Sequence, residues 1–196
     1  MPNTIIGTAT DNLDEIFEDV DAKGEKLNGR RFENCSFKNC SFSDASFRDV
    51  TLIECKFDGC DLSNTQFTGA RMRDSTFQDS KLIGINWASA SALSGVSFQK
   101  CILNLSVFQS LDLRKCAIVD CAAREADFSE TNLSEANLRG TDFSGARFSN
   151  TKLEKADLRN AVNYAIDPNE NRIKKAKFSL PEAMSLLQGL GIEVEE

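Results

Sequence analysis

Residues 126–160 read ADFSE TNLSE ANLRG TDFSG ARFSN TKLEK ADLRN. A bulky apolar residue stands at the centre of every block of five: Phe128, Leu133, Leu138, Phe143, Phe148, Leu153 and Leu158. The same beat runs back through Ala123, Ile118, Leu113, Phe108, Leu103 and Phe98 to Leu93. One extra residue intervenes, and the series then continues from Trp87 back to Leu27. Of 27 centres only Ala123 is not bulky, and twelve of the fourteen phenylalanines fall on them. A period of five matches neither the 3.6 of a helix nor the 2.0 of a strand. The chain must therefore turn a corner about once per repeat and send every fifth side chain inward, which makes it a repeat architecture.

A second register supports this. Two residues before the centres stand small side chains such as Ala45, Ala70, Thr65, Thr131, Ser75 and Ser80. All seven cysteines obey it: Cys35, Cys40, Cys55, Cys60, Cys101, Cys116 and Cys121. A large centre with a small neighbour two places back suits a narrow closed core. The quoted stretch resembles the A(D/N)LXX pattern of the pentapeptide-repeat family, and the resemblance runs over residues 25–160. It implies an all-β fold: a right-handed quadrilateral parallel β-helix, four repeats to a coil, of about seven coils and with a short C-terminal α-helix. At a strand spacing of ~4.8 Å per coil such a rod is roughly 32 Å long. The C-x4-C spacings (35/40, 55/60, 116/121) then place cysteines on adjacent sides of a coil rather than around one metal ion. Cysteines twenty apart stack at ~4.8 Å, too wide for an unstrained disulfide, so all seven are expected as buried free thiols.

Composition excludes much chemistry. The chain of 196 residues has no histidine, which removes Ser-His-Asp and Cys-His nucleophiles, HExxH zinc sites and imidazole switching. Phosphate-binding glycine loops and a dinucleotide GxGxxG are absent as well. A convex rod offers no cleft in which two carboxylates converge. No catalytic residue, cofactor or metal is expected. The first residues lack the basic and apolar regions of a signal peptide, no apolar run reaches ~20 residues, and seven cysteines do not pair. A cytoplasmic location follows as the expectation.

Three regions are expected: an N-terminal cap over 1–24, the repeat body over 25–160 and a C-terminal segment over 161–196. Phe17 and Ala22 keep phase with Leu27, so a degenerate first coil is open beside a short helix or irregular cap for DNLDEIFEDVD. The extra residue at 88–92 reads either as a bulge beside Trp87 or as a modified docking loop. Near the C-terminus, Ser179 and Glu182 fit a capping box, with Pro181 in the first turn. They predict a helix of about nine residues carrying Leu180, Met184, Leu187, Leu190 and Ile192 into a contact. Two readings fit it: a lid over the last coil, or a two-fold dimer contact.

The formal charge of −7 is unevenly spread. Residues 1–24 carry −5 and residues 161–196 carry −2, whereas the body is neutral. Dealing the repeats onto four sides makes the side of Phe32, Leu52, Met72 and Leu93 basic, through Arg30, Arg31, Arg71, Arg73, Arg114, Lys115, Lys152 and Lys155. The opposite corner collects Asp44, Asp49, Asp61, Glu125, Asp127, Glu130 and Asp142, the candidate partner-binding residues. The segment after residue 163, with Asn86-Trp87 before the interruption, looks like the subgroup holding quinolone-resistance and peptide-toxin immunity proteins. That resemblance implies a homodimeric rod binding DNA gyrase or topoisomerase IV by imitating duplex DNA. The neutral body and the lack of long loops depart from it. A general interaction scaffold with another partner is the alternative, and direct nucleic-acid or membrane binding is not expected.

Overall fold

The structure, a computed structural model, describes residues 10–192. Each coil takes twenty residues, and strands stack in parallel and in register, Asp11 beside Arg31 and Arg31 beside Thr51. One sheet is built from β1 (Asp11–Leu13), β3 (Arg31–Glu33), β5 (Thr51–Ile53), β7 (Arg71–Arg73) and β9 (Ala92–Ser94). The second holds β2 (Ile16–Glu18), β4 (Ser36–Lys38), β6 (Lys56–Asp58), β8 (Thr76–Gln78), β10 (Ser97–Gln99) and β11 (Ala117–Val119). These ladders are five and six strands deep, fewer than the coils obtained by counting repeats. Further on, the sides shorten to single bridges, Asp112 to Asn132, Asn132 to Lys152 and Lys152 to Arg172, which carry the same stack forward. Where the sequence leaves room for a helix or irregular cap at 11–21, the chain forms β1 and β2, and Phe17 is fully buried under Phe37. The part of the expected cap over residues 1–9 lies outside the described residues.

The corner has an identifiable cause. Two residues after nearly every centre the backbone enters the left-handed region, at Asp14, Asp19, Asn34, Asn39, Asp44 and onward, with φ between 46° and 73°. Asn, Asp and Gly tolerate this conformation best. At Gly69, φ is 73° and a Cβ would run into the Asp49 carboxylate one coil back, so a larger residue would have to displace that side chain. One left-handed residue per five turns the chain through each corner, which is the physical origin of the period.

Inside, the centres stack by type. Phe17, Phe37, Phe57, Phe77 and Phe98 form one face-to-face column with ring centroids 4.5–5.3 Å apart. Phe67, Trp87, Phe108, Phe128 and Phe148 form another. The small register is a hydrogen-bonding register too. Thr65, Thr131, Thr141 and Thr151 each donate Oγ1 to a carbonyl 23 residues back at 2.8 Å. Cys55 and Cys60 donate Sγ to the Phe32 and Phe37 carbonyls at 3.4 Å, while their own N–H groups donate to Ser75 and Ser80 Oγ. A thiol or hydroxyl there satisfies backbone groups that the strand sides leave unpaired.

All seven cysteines are free and buried. Burial pushes the Cys55 and Cys116 thiols up to about 12. Only thiolates react with alkylating reagents. Maleimide labelling is therefore expected to be slow in the folded protein and to reach all seven thiols only in denaturant. Equal rates with and without denaturant would contradict this burial.

The interruption is a bulge. A single 3-10 turn, Trp87–Ser89, replaces the left-handed corner. Ser91 and Ala92 N–H both reach the Ala70 carbonyl, at 2.8 and 3.3 Å, so two residues oppose one. The C-terminal helix differs from expectation. It is a 3-10 turn at Glu182–Met184 followed by α1 (Ser185–Gly189), with no side-chain cap. Ser179 Oγ is engaged elsewhere, accepting the Asn160 N–H at 2.6 Å, so the capping box does not form. Leu186 packs on the core, whereas Leu180, Leu190 and Ile192 remain exposed.

Candidate partner-binding faces

The seven corner acids occupy two adjoining sides, but the structure gathers them into two clusters. Asp44, Asp49 and Asp61 belong to the N-terminal coils, and Glu125, Asp127, Glu130 and Asp142 to the C-terminal ones. Ladder steps Asp61–Lys81–Ile102–Ala122–Asp142 put Asp61 and Asp142 four coils apart, or about 19 Å at the strand spacing. Between them stand Lys81, Ile102 and Leu105. Leu105 was not among the candidates, yet it is 54% exposed and sits at a left-handed corner with φ of 61°. A bulky residue there is unusual. Its signal is visible in the sequence: Leu105 occupies a register that neighbouring coils give to Gly84 and Glu125.

Several of these acids already have partners. Arg124 reaches Asp142 at 2.8 Å, and Arg147 reaches Asp127 at 3.8 Å. Asn64 donates to Asp44 at 3.2 Å, and Ser110 donates to Glu130 at 3.0 Å. Partial burial alone would raise the Asp142 carboxyl, but hydrogen bonds from Ser144, Asn163 and Arg124 pull it well below the usual carboxylate range. Asp157 is lowered to about 2, chiefly by the hydrogen bond from Arg159. A carboxyl whose folded pKa lies below its unfolded value of about 3.9 stabilises fully above that value and loses the effect as pH falls through the folded one. The rod should therefore hold its fold down to about pH 4 and lose stability between about 4 and 2. Circular dichroism during acid titration reads this, and an Asp142→Asn, Asp157→Asn double variant should be less stable at pH 7 with a shallower acid slope. Identical slopes for both proteins would contradict the assignment.

On the basic side, Arg73 contacts Glu54 and Asp74 at 3.9 and 3.7 Å, and Arg114 grips Asp112 at 2.8 Å. Among the described residues no group of three or more Cys, Asp or Glu side chains is arranged to hold a metal ion.

A four-sided coil with left-handed corners, stacked apolar centres and a small polar register two places back defines a pentapeptide-repeat solenoid. Family models for pentapeptide repeats match residues 30–94 and 124–162, together just over half of the chain, and the protein belongs to the pentapeptide-repeat family. No curated protein matches it. Among solved structures, a trypsin-treated form of QnrB1, a plasmid-mediated fluoroquinolone resistance protein, is 23% identical. That match has a TM-score of 0.65 and covers 94% of this chain and 90% of QnrB1. HetL, a pentapeptide repeat protein involved in heterocyst differentiation regulation in the cyanobacterium Nostoc sp. PCC 7120, is 19% identical, with a TM-score of 0.47 over 86% of both chains.

Proposed function

We propose that this rod is a non-enzymatic protein that binds DNA gyrase or topoisomerase IV and so protects it against a quinolone or a peptide toxin. The observation that carries the reading is the pair of carboxylate clusters on adjoining sides of a stiff parallel stack, with Asp61 of one and Asp142 of the other about 19 Å apart. Such a surface offers negative charge at intervals to a cationic DNA channel. The fold shared with a fluoroquinolone resistance protein supports it. The experiment is a gyrase supercoiling and drug-induced cleavage assay. Added protein should restore supercoiling in the presence of a quinolone, or inhibit the enzyme alone; no rescue and no inhibition would reject the reading. A scaffold for a different partner is the second reading, favoured by Arg124 and Arg147, which neutralise part of the acidic corner.

The same reading makes the protein a homodimer through its C-terminal helix. Leu180, Leu190 and Ile192 are 74, 49 and 47% exposed, and Met184 and Leu187 are half-buried beside them. Light scattering should give twice the chain mass of 21.6 kDa for the native protein and one copy for Leu190→Asp. An unchanged mass in the variant would remove the helix from the interface.

A further inference from the structure

Backbone hydrogen bonds tie each side of the rod to the next coil. On the basic side, Arg31, Thr51 and Arg71 N–H donate to the preceding coil at 2.8 Å, to Thr10, Arg30 and Val50. Asn34, Glu54 and Asp74 N–H donate to the following coil, to Ile53, Arg73 and Ser94, at 2.9 Å. Beyond, Asn132 N–H reaches Leu111 at 2.8 Å, Leu113 N–H reaches Asn132 at 2.9 Å and Lys115 N–H reaches Ser134 at 3.0 Å. Between these stretches the repeat requires Asp112 N–H to reach Ser91, Leu93 N–H to reach Asp112, and Gly95 N–H to reach Arg114. None of the three bonds is made, and β9 ends its sheet in the middle of the rod. Pairing resumes at Ser97 beside Ala117. The gap follows the 3-10 turn that replaces the left-handed corner, and a cavity of about 430 Å³ fills it, lined by Leu93, Gly95, Val96, Leu113, Arg114 and Lys115.

We propose that this seam is a strand-acceptor site for an extended acidic peptide of a partner protein. An unpaired strand edge is a template for a further strand, its main-chain groups supplying affinity and its alternate side chains specificity. Each lip is an edge, so a guest of about three residues, ~10 Å long, can pair along it. Its middle side chain faces Leu93 and Leu113, which favours an apolar residue, and its two neighbours face outward. Ala92 and Ser94 on the upper lip are small and leave the opening clear. Charge selects the guest. A second cavity of about 380 Å³ adjoins through Ser94 and is lined by Arg31, Arg71 and Arg73. The acids at the seam, Asp112 and Glu135, are held by Arg114 at 2.8 Å and Lys155 at 3.3 Å. Arg71 and Lys115 have no ion-pair partner among the described residues and remain available to a guest carboxylate. An acid–apolar–acid segment fits this arrangement, whether or not the partner is a topoisomerase.

The test uses the full chain and three fluorescein-labelled amidated peptides: Gly-Ser-Glu-Val-Glu-Ser, its counterpart with Lys for both Glu, and the acidic peptide N-methylated at Val and the second Glu. Hydrogen exchange should find the Leu93, Gly95 and Asp112 amides fast in the free protein and slowed by the acidic peptide. Fluorescence anisotropy should show the lysine and N-methyl peptides binding at least about tenfold more weakly, a difference of ~1.4 kcal/mol. The exposed double variant Arg71→Glu, Lys115→Glu should lose a similar factor with an unchanged circular dichroism spectrum. Seam amides as protected as the Arg71 amide in the free protein, equal binding of acidic and lysine peptides, or no binding at millimolar peptide would each overturn the proposal.

Discussion

Replacing Trp87 by alanine should destabilise the rod by about 3–5 kcal/mol, the range for deleting a buried aromatic side chain. Trp87 is fully buried and lies between Phe67 and Phe108, with centroids 5.3 and 6.0 Å away and planes within 11°. Phe77 and Phe98 meet it edge-on at 5.7 and 5.3 Å. Alanine would break an aromatic column at the bulge, on the side of the coil just before the backbone ladder opens. Because a solenoid is held by contacts between neighbouring coils, a weak junction there divides its stability. Guanidinium unfolding should lose its single transition and show the two halves separately. Trp87→Phe provides the contrast. The indole Nε1 finds no acceptor among the described residues, and an unmet buried donor costs about 1–3 kcal/mol. Phenylalanine removes that donor while keeping most of the stacking, so its net change should stay within about 1.5 kcal/mol. A loss below ~1 kcal/mol for Trp87→Ala would show that the column does not hold the halves together.

Asn171→Ala should cost about 2–4 kcal/mol, concentrated in the last coils. Asn171 occupies the register that earlier coils give to Ala, Cys, Ser or Thr, but here the side chain spans a wider turn. Its Oδ1 accepts the Thr151 N–H at 2.9 Å, while Nδ2 donates to the Phe148 and Asp167 carbonyls at 2.9 and 3.0 Å. Alanine strands an amide and a carbonyl in the interior at once. Amide exchange at Thr151 should accelerate by orders of magnitude, with the coils before Trp87 unchanged. Normal protection at Thr151 in the variant would mean that water or another group replaces the amide.

Much of this fold is legible because its core obeys one rule. The five-residue beat fixes the buried centres from Leu27 to Leu158, and the structure buries each of them. A second rule was equally visible and is the deeper cause: Asn34, Asn39, Gly59, Asn64 and Gly69 mark the left-handed corners. The small register reads as a steric requirement, yet Cys55 and Thr131 also serve the backbone as hydrogen-bonding groups. At the C-terminus, Ser179 satisfies a local capping pattern, but the Asn160 N–H nineteen residues away takes its hydroxyl. Charge summed by side places Asp44 and Asp142 on one acidic corner; only the ladder shows them five coils apart, with Arg124 already on Asp142. The seam is the least legible feature. One extra residue predicts a bulge at 88–92, whereas the missing bonds fall between that coil and the next.

The most direct test of the central claim is an equilibrium binding measurement between this protein and purified gyrase, repeated with linear duplex DNA as competitor. A stoichiometric complex that duplex DNA displaces, and that Asp44→Lys, Asp61→Lys, Glu125→Lys together weaken at least about tenfold, is the predicted result. No complex at concentrations where gyrase binds duplex DNA, or a complex indifferent to both the competitor and the charge reversals, would contradict it.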